Sequence, residues 1–76
     1  FNPSTTISFN LPKTTQVSLS VYDLKGTLVE ELLKEIKVAG KYYYKWKPKK
    51  ELASGVYLFE LKTKNKSRHQ KITYIK

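Results

Sequence analysis

The chain contains no cysteine and no methionine, one histidine and one aspartate among its 76 residues. Without cysteine, neither a disulfide nor a thiolate metal site can stabilise the fold. The lone His69 lies in a basic stretch with no acidic residue within several positions, and Asp23 lies in a turn sequence. No nucleophile with a base and no metal-ligand cluster is visible. The sequence therefore predicts a protein that is not an enzyme and has no cofactor or metal.

Long apolar runs are also missing. No segment approaches the roughly 20 apolar residues that span a bilayer, and the N-terminus lacks the charged-then-apolar pattern of a signal peptide. The chain opens with Phe1-Asn2-Pro3 and no initiator methionine. We therefore expect no membrane span, and a single domain, residues 1–76, cut from a larger secreted protein.

The composition favours a folded chain with a basic surface. Hydrophobic residues make up 39% and aromatic residues 13%, which is enough apolar surface to oppose a disordered state. Fifteen basic residues against six acidic ones give a net charge of +9. Such a charge favours an anionic partner, but scattered lysines also keep β-sheet edges from associating. Both explanations remain open.

Short runs in which apolar and polar residues alternate predict β-strands. Asp23-Leu24-Lys25-Gly26 predicts a tight turn, Lys64-Asn65-Lys66 a hairpin connection, and Pro48 the end of a strand. The segment at 27–33 also fits the spacing of a short helix. Six to seven short strands predict an all-β fold, an Ig-like antiparallel β-sandwich. The predicted strands are 7–11, 17–21, 27–33, 41–47, 56–62 and 68–75.

Aromatic side chains predict core positions and raise two binding alternatives. Tyr42, Tyr44 and Trp46 share one face of their strand, and Tyr57, Phe59 and Leu61 share a face of the next. Basic residues alternate with Tyr43, as in some nucleic-acid-binding strands. Because the core needs the other rings, nucleic-acid binding is disfavoured. Tyr22 and Tyr43 remain the candidates for an outward-facing carbohydrate platform.

An ordered set of motifs covers nearly the whole chain. Its segments are, in order, Asn2-Pro3, Thr6-Ile7-Ser8-Phe9, Leu11-Pro12, Val17 to Asp23 with Gly26, Ala39-Gly40, Trp46, Ser54-Gly55-Val56-Tyr57 and Lys71 to Lys76. This set resembles the type A C-terminal sorting domain of proteins exported by the Bacteroidetes type IX secretion system. The pattern is also similar to the Ig-like domain of flagellar hook-capping proteins.

The resemblance implies a non-catalytic secretion signal. Such a domain stays folded at the end of a cargo protein and is recognised in the periplasm by the type IX translocon, which guides the cargo across the outer membrane. A sortase-like surface protease then removes the domain and joins the cargo to anionic lipopolysaccharide. The alternative is an Ig-like accessory module of a secreted enzyme, serving as a spacer or binding carbohydrate.

We expect partner recognition to use the terminal hairpin, residues 62–76, because a terminal edge strand offers unpaired backbone groups for strand addition. Exposed lysines there would steer the domain toward an acidic receptor surface. The candidate recognition residues are Gly55, Val56, Tyr57, Lys71, Ile72, Tyr74 and Lys76.

Overall fold

Six antiparallel strands form two sheets in the computed structural model, which describes residues 4–48 and 52–75. The sheets have the strand orders β1-β4 and β3-β2-β5-β6. This confirms the predicted all-β, Ig-like sandwich with six strands. The described part of the chain contains no helix that could cross a membrane. The strands are β1 Thr5–Leu11, β2 Thr15–Asp23, β3 Leu28–Lys37, β4 Gly40–Trp46, β5 Gly55–Lys62 and β6 Ser67–Tyr74.

The core lies between the two sheets and follows the predicted alternation. Val17, Leu19 and Val21 on β2 are completely buried, because β2 lies inside the larger sheet with β3 and β5 on either side. Their neighbours in the core come from three further strands. These are Ile7, Phe9, Leu11, Trp46, Tyr57 and Phe59.

The third segment is a strand and not a helix, and it is longer than predicted. It spans Leu28–Lys37, whereas the sequence indicated residues 27–33. The register shifts between Leu19 and Ser20, whose partners are Leu33 and Glu31. Leu32 is therefore an extra residue in a β-bulge, which breaks the period of two. This irregularity explains why the apolar residues resembled a helical spacing.

The turn between β2 and β3 forms as predicted. The Gly26 backbone N–H donates to the Asp23 carbonyl over 3.1 Å, and Gly26 has a φ of +88°. One Asp23 carboxylate oxygen accepts the backbone N–H groups of Lys25 and Thr27, each over 2.9 Å. Asp23 is thus a turn-forming residue, which agrees with its non-catalytic interpretation.

Strand β4 ties the smaller sheet to one side of the larger one. Trp46, which is 1% exposed, meets the Phe59 ring edge-on with centroids 5.4 Å apart. Its indole N–H donates to a Glu30 carboxylate oxygen over 3.3 Å. The Tyr44 hydroxyl donates to the Leu32 carbonyl over 3.2 Å. We call this flank, where β3 and β4 lie adjacent, the closed side of the sandwich.

Candidate recognition site on the last hairpin

Two sequence motifs that were separated in the chain lie directly opposite each other in the structure. Strands β5 and β6 pair so that Gly55 faces Tyr74 and Tyr57 faces Ile72. Val56 pairs with Thr73, and Lys71 pairs with Leu58, the residue after Tyr57. The hairpin therefore gathers all the predicted recognition residues except Lys76, which lies outside the described residues.

Three of these residues face the core and hold the hairpin in place. Tyr57 is 8% exposed, and its hydroxyl donates to the Ala53 carbonyl over 2.6 Å. The ring of Tyr74 lies edge-on to that of Tyr57, with centroids 6.5 Å apart. Ile72 is half-buried against the same core. Their side chains are largely occupied by packing and offer a partner little free surface.

The other candidates lie at the start of β5 or on the outer face of the hairpin. Val56 is half-buried and Lys71 is exposed. Gly55 has a φ of +156°, and a Cβ placed there would meet no atom within 4 Å. Glycine is favoured at this position by its backbone conformation, since space is available. Gly55 thus sets the direction in which β5 leaves the preceding loop.

Strand β6 is an edge of the four-stranded sheet, as the sequence predicted. Its partner within the sheet is β5. Along an edge strand, every second residue directs its backbone N–H and C=O groups away from the sheet. The hairpin therefore presents a row of backbone groups to which another strand could bind.

The hairpin is strongly basic. Residues 55–74 contain five basic residues and one acidic residue, which gives a net charge of +4 with histidine neutral. The acidic residue, Glu60, lies 2.9 Å from the His69 ring nitrogen Nε2 and 3.5 Å from the Tyr22 hydroxyl. His69 therefore has an acidic partner that its neighbours in the sequence do not indicate. Glu60 is nine positions away along the chain but directly opposite His69 across the strand pair.

The opposite flank of the sandwich is open. A cleft of about 680 Å³ separates β1 from the β5–β6 hairpin, and we call it the lateral cleft. The apolar residues that line it are Ile7, Phe9, Leu11, Pro12, Leu19, Phe59 and Leu61, and the basic ones are Lys13, Lys64, Lys66 and Arg68. No acidic residue is among the described residues that line the cleft.

The cleft was missed because β6 was read for its apolar residues alone. Arg68 and Gln70 occupy the same face of β6 as Ile72 and Tyr74, since alternate residues share a face. They pair with Leu61 and Phe59, yet both are exposed. Polar residues at core-facing positions were the signal in the sequence that the two-stranded sheet does not cover this end of β6.

The two candidate carbohydrate-binding rings do not share a surface. Tyr43 is 67% exposed on the outer face of the β1–β4 sheet. Tyr22 is half-buried on the outer face of the four-stranded sheet, on the other side of the sandwich. They cannot form one platform. Within residues 4–48 and 52–75, no group of acidic, histidine or cysteine side chains could hold a metal ion.

Comparison with known protein families identifies the family of the whole chain. The family model described as a secretion system C-terminal sorting domain matches residues 2–76. The chain belongs to this family. No curated protein and no solved structure matches the chain.

Membership supplies the general function. The family consists of sorting signals for type IX secretion, which are non-catalytic in general. A sorting domain implies interaction with the type IX machinery and with an N-terminal cargo. It also implies export to the cell surface or the extracellular space. The expected likeness to the hook-capping domain stays a prediction.

Proposed function

We propose that this sorting domain is a non-catalytic secretion signal. The export machinery recognises it mainly through β6 and the hairpin at 62–76. In this proposal the folded domain passes through the periplasm with its cargo attached at the N-terminal side. Translocon components bind the hairpin and guide the cargo across the outer membrane. A sortase-like surface protease and anionic lipopolysaccharide act after translocation.

The observation that carries this proposal is the pairing within the hairpin. The family match includes both the segment at 55–57 and the chain end. The structure places Gly55, Val56 and Tyr57 against Ile72, Thr73 and Tyr74. Two segments that are separate in the sequence therefore form one surface at an edge of the four-stranded sheet.

Side-chain burial distinguishes two roles among the residues of this surface. Tyr57, Ile72 and Tyr74 contribute to the core, so their proposed role is to fix the hairpin. Lys71 is exposed and lies on the edge strand, so its proposed role is to attract an acidic receptor surface. An exposed charge of this kind contributes about 1 kcal/mol or less. Backbone pairing along β6 would supply most of the affinity.

The test is export of a fluorescent reporter that carries a Sec signal and residues 1–76 at its C-terminus. The host carries a type IX translocon. We expect fluorescence at the cell surface or in the medium for the intact fusion and its retention in the cell when residues 68–76 are deleted. Retention of a folded intact fusion, also with the source organism's own translocon, would contradict the proposal and favour an accessory module.

Deletion of β6 also uncovers Tyr57 and Phe59, so a variant that keeps the fold is needed. Lys71→Glu reverses an exposed charge on β6, and Lys41→Glu makes the same change on the exposed face of β4. We expect Lys71→Glu to lower export by about fivefold or less, and Lys41→Glu to leave it unchanged. Equal losses for both variants would mean that net charge matters and the hairpin does not.

A further inference from the structure

The lateral cleft has the form of a sandwich side from which a strand is missing. One wall is β1, whose sheet partner is β4, and the other is β6, whose sheet partner is β5. Each of these strands therefore turns one backbone edge away from its own sheet. On the closed side, by contrast, β4 side chains bridge directly to β3.

The accessible side chains of the cleft wall at β6 are polar or basic. Arg68 and Gln70 are exposed there, whereas Phe59, which pairs with Gln70, is 3% exposed and belongs to the core. The cleft volume of about 680 Å³ lies within the usual range of roughly 300–1,000 Å³ for ligand sites. An extended segment lying along β6 would turn every second side chain toward the cleft, beside Arg68 and Gln70.

The charge of the cleft indicates which kind of extended segment would bind there. Lys13 lies beside β1, Lys64 and Lys66 lie in the hairpin connection, and Arg68 lies on β6. Among the described residues, four basic side chains and no acidic one line the cleft, so charge complementarity favours an acidic occupant. A second copy of the chain fits poorly, since its own β6 would bring Arg68 and Lys71 against the same basic wall.

We propose that the lateral cleft binds an acidic, extended peptide segment of a partner protein, which adds as a strand to the free edge of β6. The side chains that the segment turns toward the cleft are acidic and face Lys64, Lys66 and Arg68, and the alternate side chains point away from the core. The partner's place in the export machinery rests on the sorting function proposed above. Peptide binding itself can be measured without that function.

The first experiment uses a synthetic heptapeptide of alternating glutamate and valine, with its ends blocked. It is titrated into the chain of residues 1–76 and followed by backbone amide NMR shifts. A matched peptide carries lysine in place of glutamate. We expect shifts along β6 and around the cleft, and binding of the glutamate peptide about tenfold tighter than that of the lysine peptide. Added salt should weaken the binding.

Reversing the charge of single residues tests whether the peptide binds in the cleft. Arg68→Glu in the cleft should weaken binding of the glutamate peptide by about tenfold. Lys45→Glu is the control, because Lys45 is exposed on the outer face of β4, away from the cleft. If both variants weaken binding equally, the peptide is attracted by the net charge and the proposal is wrong.

Two neighbouring proline variants test strand addition. In an antiparallel pair, one of Gln70 and Lys71 directs its N–H toward β5 and the other directs it toward the free edge. Of Gln70→Pro and Lys71→Pro, one should therefore lower the melting temperature clearly more than the other. We expect the less destabilised variant, which lacks an edge donor, to lose peptide binding. Full binding by that variant would overturn strand addition.

Other outcomes separate this proposal from the sorting function. No amide shifts with either peptide, or shifts confined to the lysines of β4, would overturn the cleft proposal while reporter export could still succeed. A dimer in sedimentation whose β6 amides are protected would replace the acidic peptide with a second copy. Peptide binding without reporter export would retain the cleft and reject the proposed function.

Discussion

The two flanks of the sandwich differ in how they are held together. On the closed side, Tyr44 and Trp46 of β4 reach across to β3 with side-chain hydrogen bonds. On the open side, β1 and β6 are separated by the lateral cleft, which is lined by basic and apolar side chains. A two-stranded sheet cannot cover a four-stranded one. The side-chain hydrogen bonds that join the two sheets therefore lie on the closed side, and strand edges face the lateral cleft on the open side.

Removal of the Trp46 ring, on the closed side, should have the largest effect on stability. Trp46 is 1% exposed, contacts Phe59 and bonds to Glu30. We expect Trp46→Ala to lower the free energy of unfolding by about 3–5 kcal/mol, which is a large share of the total stability of a domain this small. Urea denaturation measures this difference in the free energy of unfolding. Tyr43→Ala, on the exposed face of the same strand, is the control and should stay within about 0.5 kcal/mol.

A change at the entry to the hairpin should have an intermediate effect. Gly55 has a φ of +156°, which side chains of L residues rarely adopt. Gly55→Ala should lower the unfolding free energy by about 1–3 kcal/mol although no atom would clash with the added methyl group. Thermal unfolding followed by circular dichroism is sufficient. An unchanged melting temperature would show that the backbone there relaxes freely.

A single hydroxyl tests the bridge between β4 and β3. Tyr44→Phe removes the hydrogen bond to the Leu32 carbonyl and should cost about 1 kcal/mol. Gln70→Ala, on the open side, should change the unfolding free energy by less than about 0.5 kcal/mol because Gln70 is exposed. If the Gln70 variant were the less stable of the two, the contrast between the flanks would be wrong.

The contact between His69 and Glu60 across the hairpin should matter least. His69 has a side chain that is 53% exposed, although its ring nitrogen lies 2.9 Å from a Glu60 oxygen. Such exposed pairs are screened by water, so His69→Ala should change the unfolding free energy by less than about 0.5 kcal/mol. Denaturation of the two proteins side by side measures this. A loss above 1 kcal/mol would mean that the pair anchors β6 to β5.

The sequence predicted the parts of this fold that depend on local rules. Alternation located the cores of β1, β2 and β5, and Asp23 with Gly26 marked the turn correctly. The predicted extent of β3 was wrong because residues 34–37 become a strand through their pairing with residues 15–18 of β2. The bulge at Leu32 is visible in the sequence only as a spacing that also fits a helix.

The candidate site shows the same limit. The sequence predicts the terminal hairpin, but which residue of the motif at 54–57 lies opposite which residue of the last strand follows from the register alone. The contact of Glu60 with His69 also depends on that register. The lateral cleft depends on the unequal widths of two sheets, which no single segment specifies. Arg68 and Gln70 at inward positions were its only local sign.

The connection between β5 and β6 has a consequence for the lifetime of the secretion signal. Lys64 and Lys66 are exposed there, and the backbone turns through a hydrogen bond from Thr63 to the Lys66 carbonyl. One cut by a protease that cleaves after lysine would leave β6 held to the other strands by its pairing with β5 and its packing alone. Under the function proposed above, a single hydrolysis in this connection would weaken the signal and leave the cargo intact.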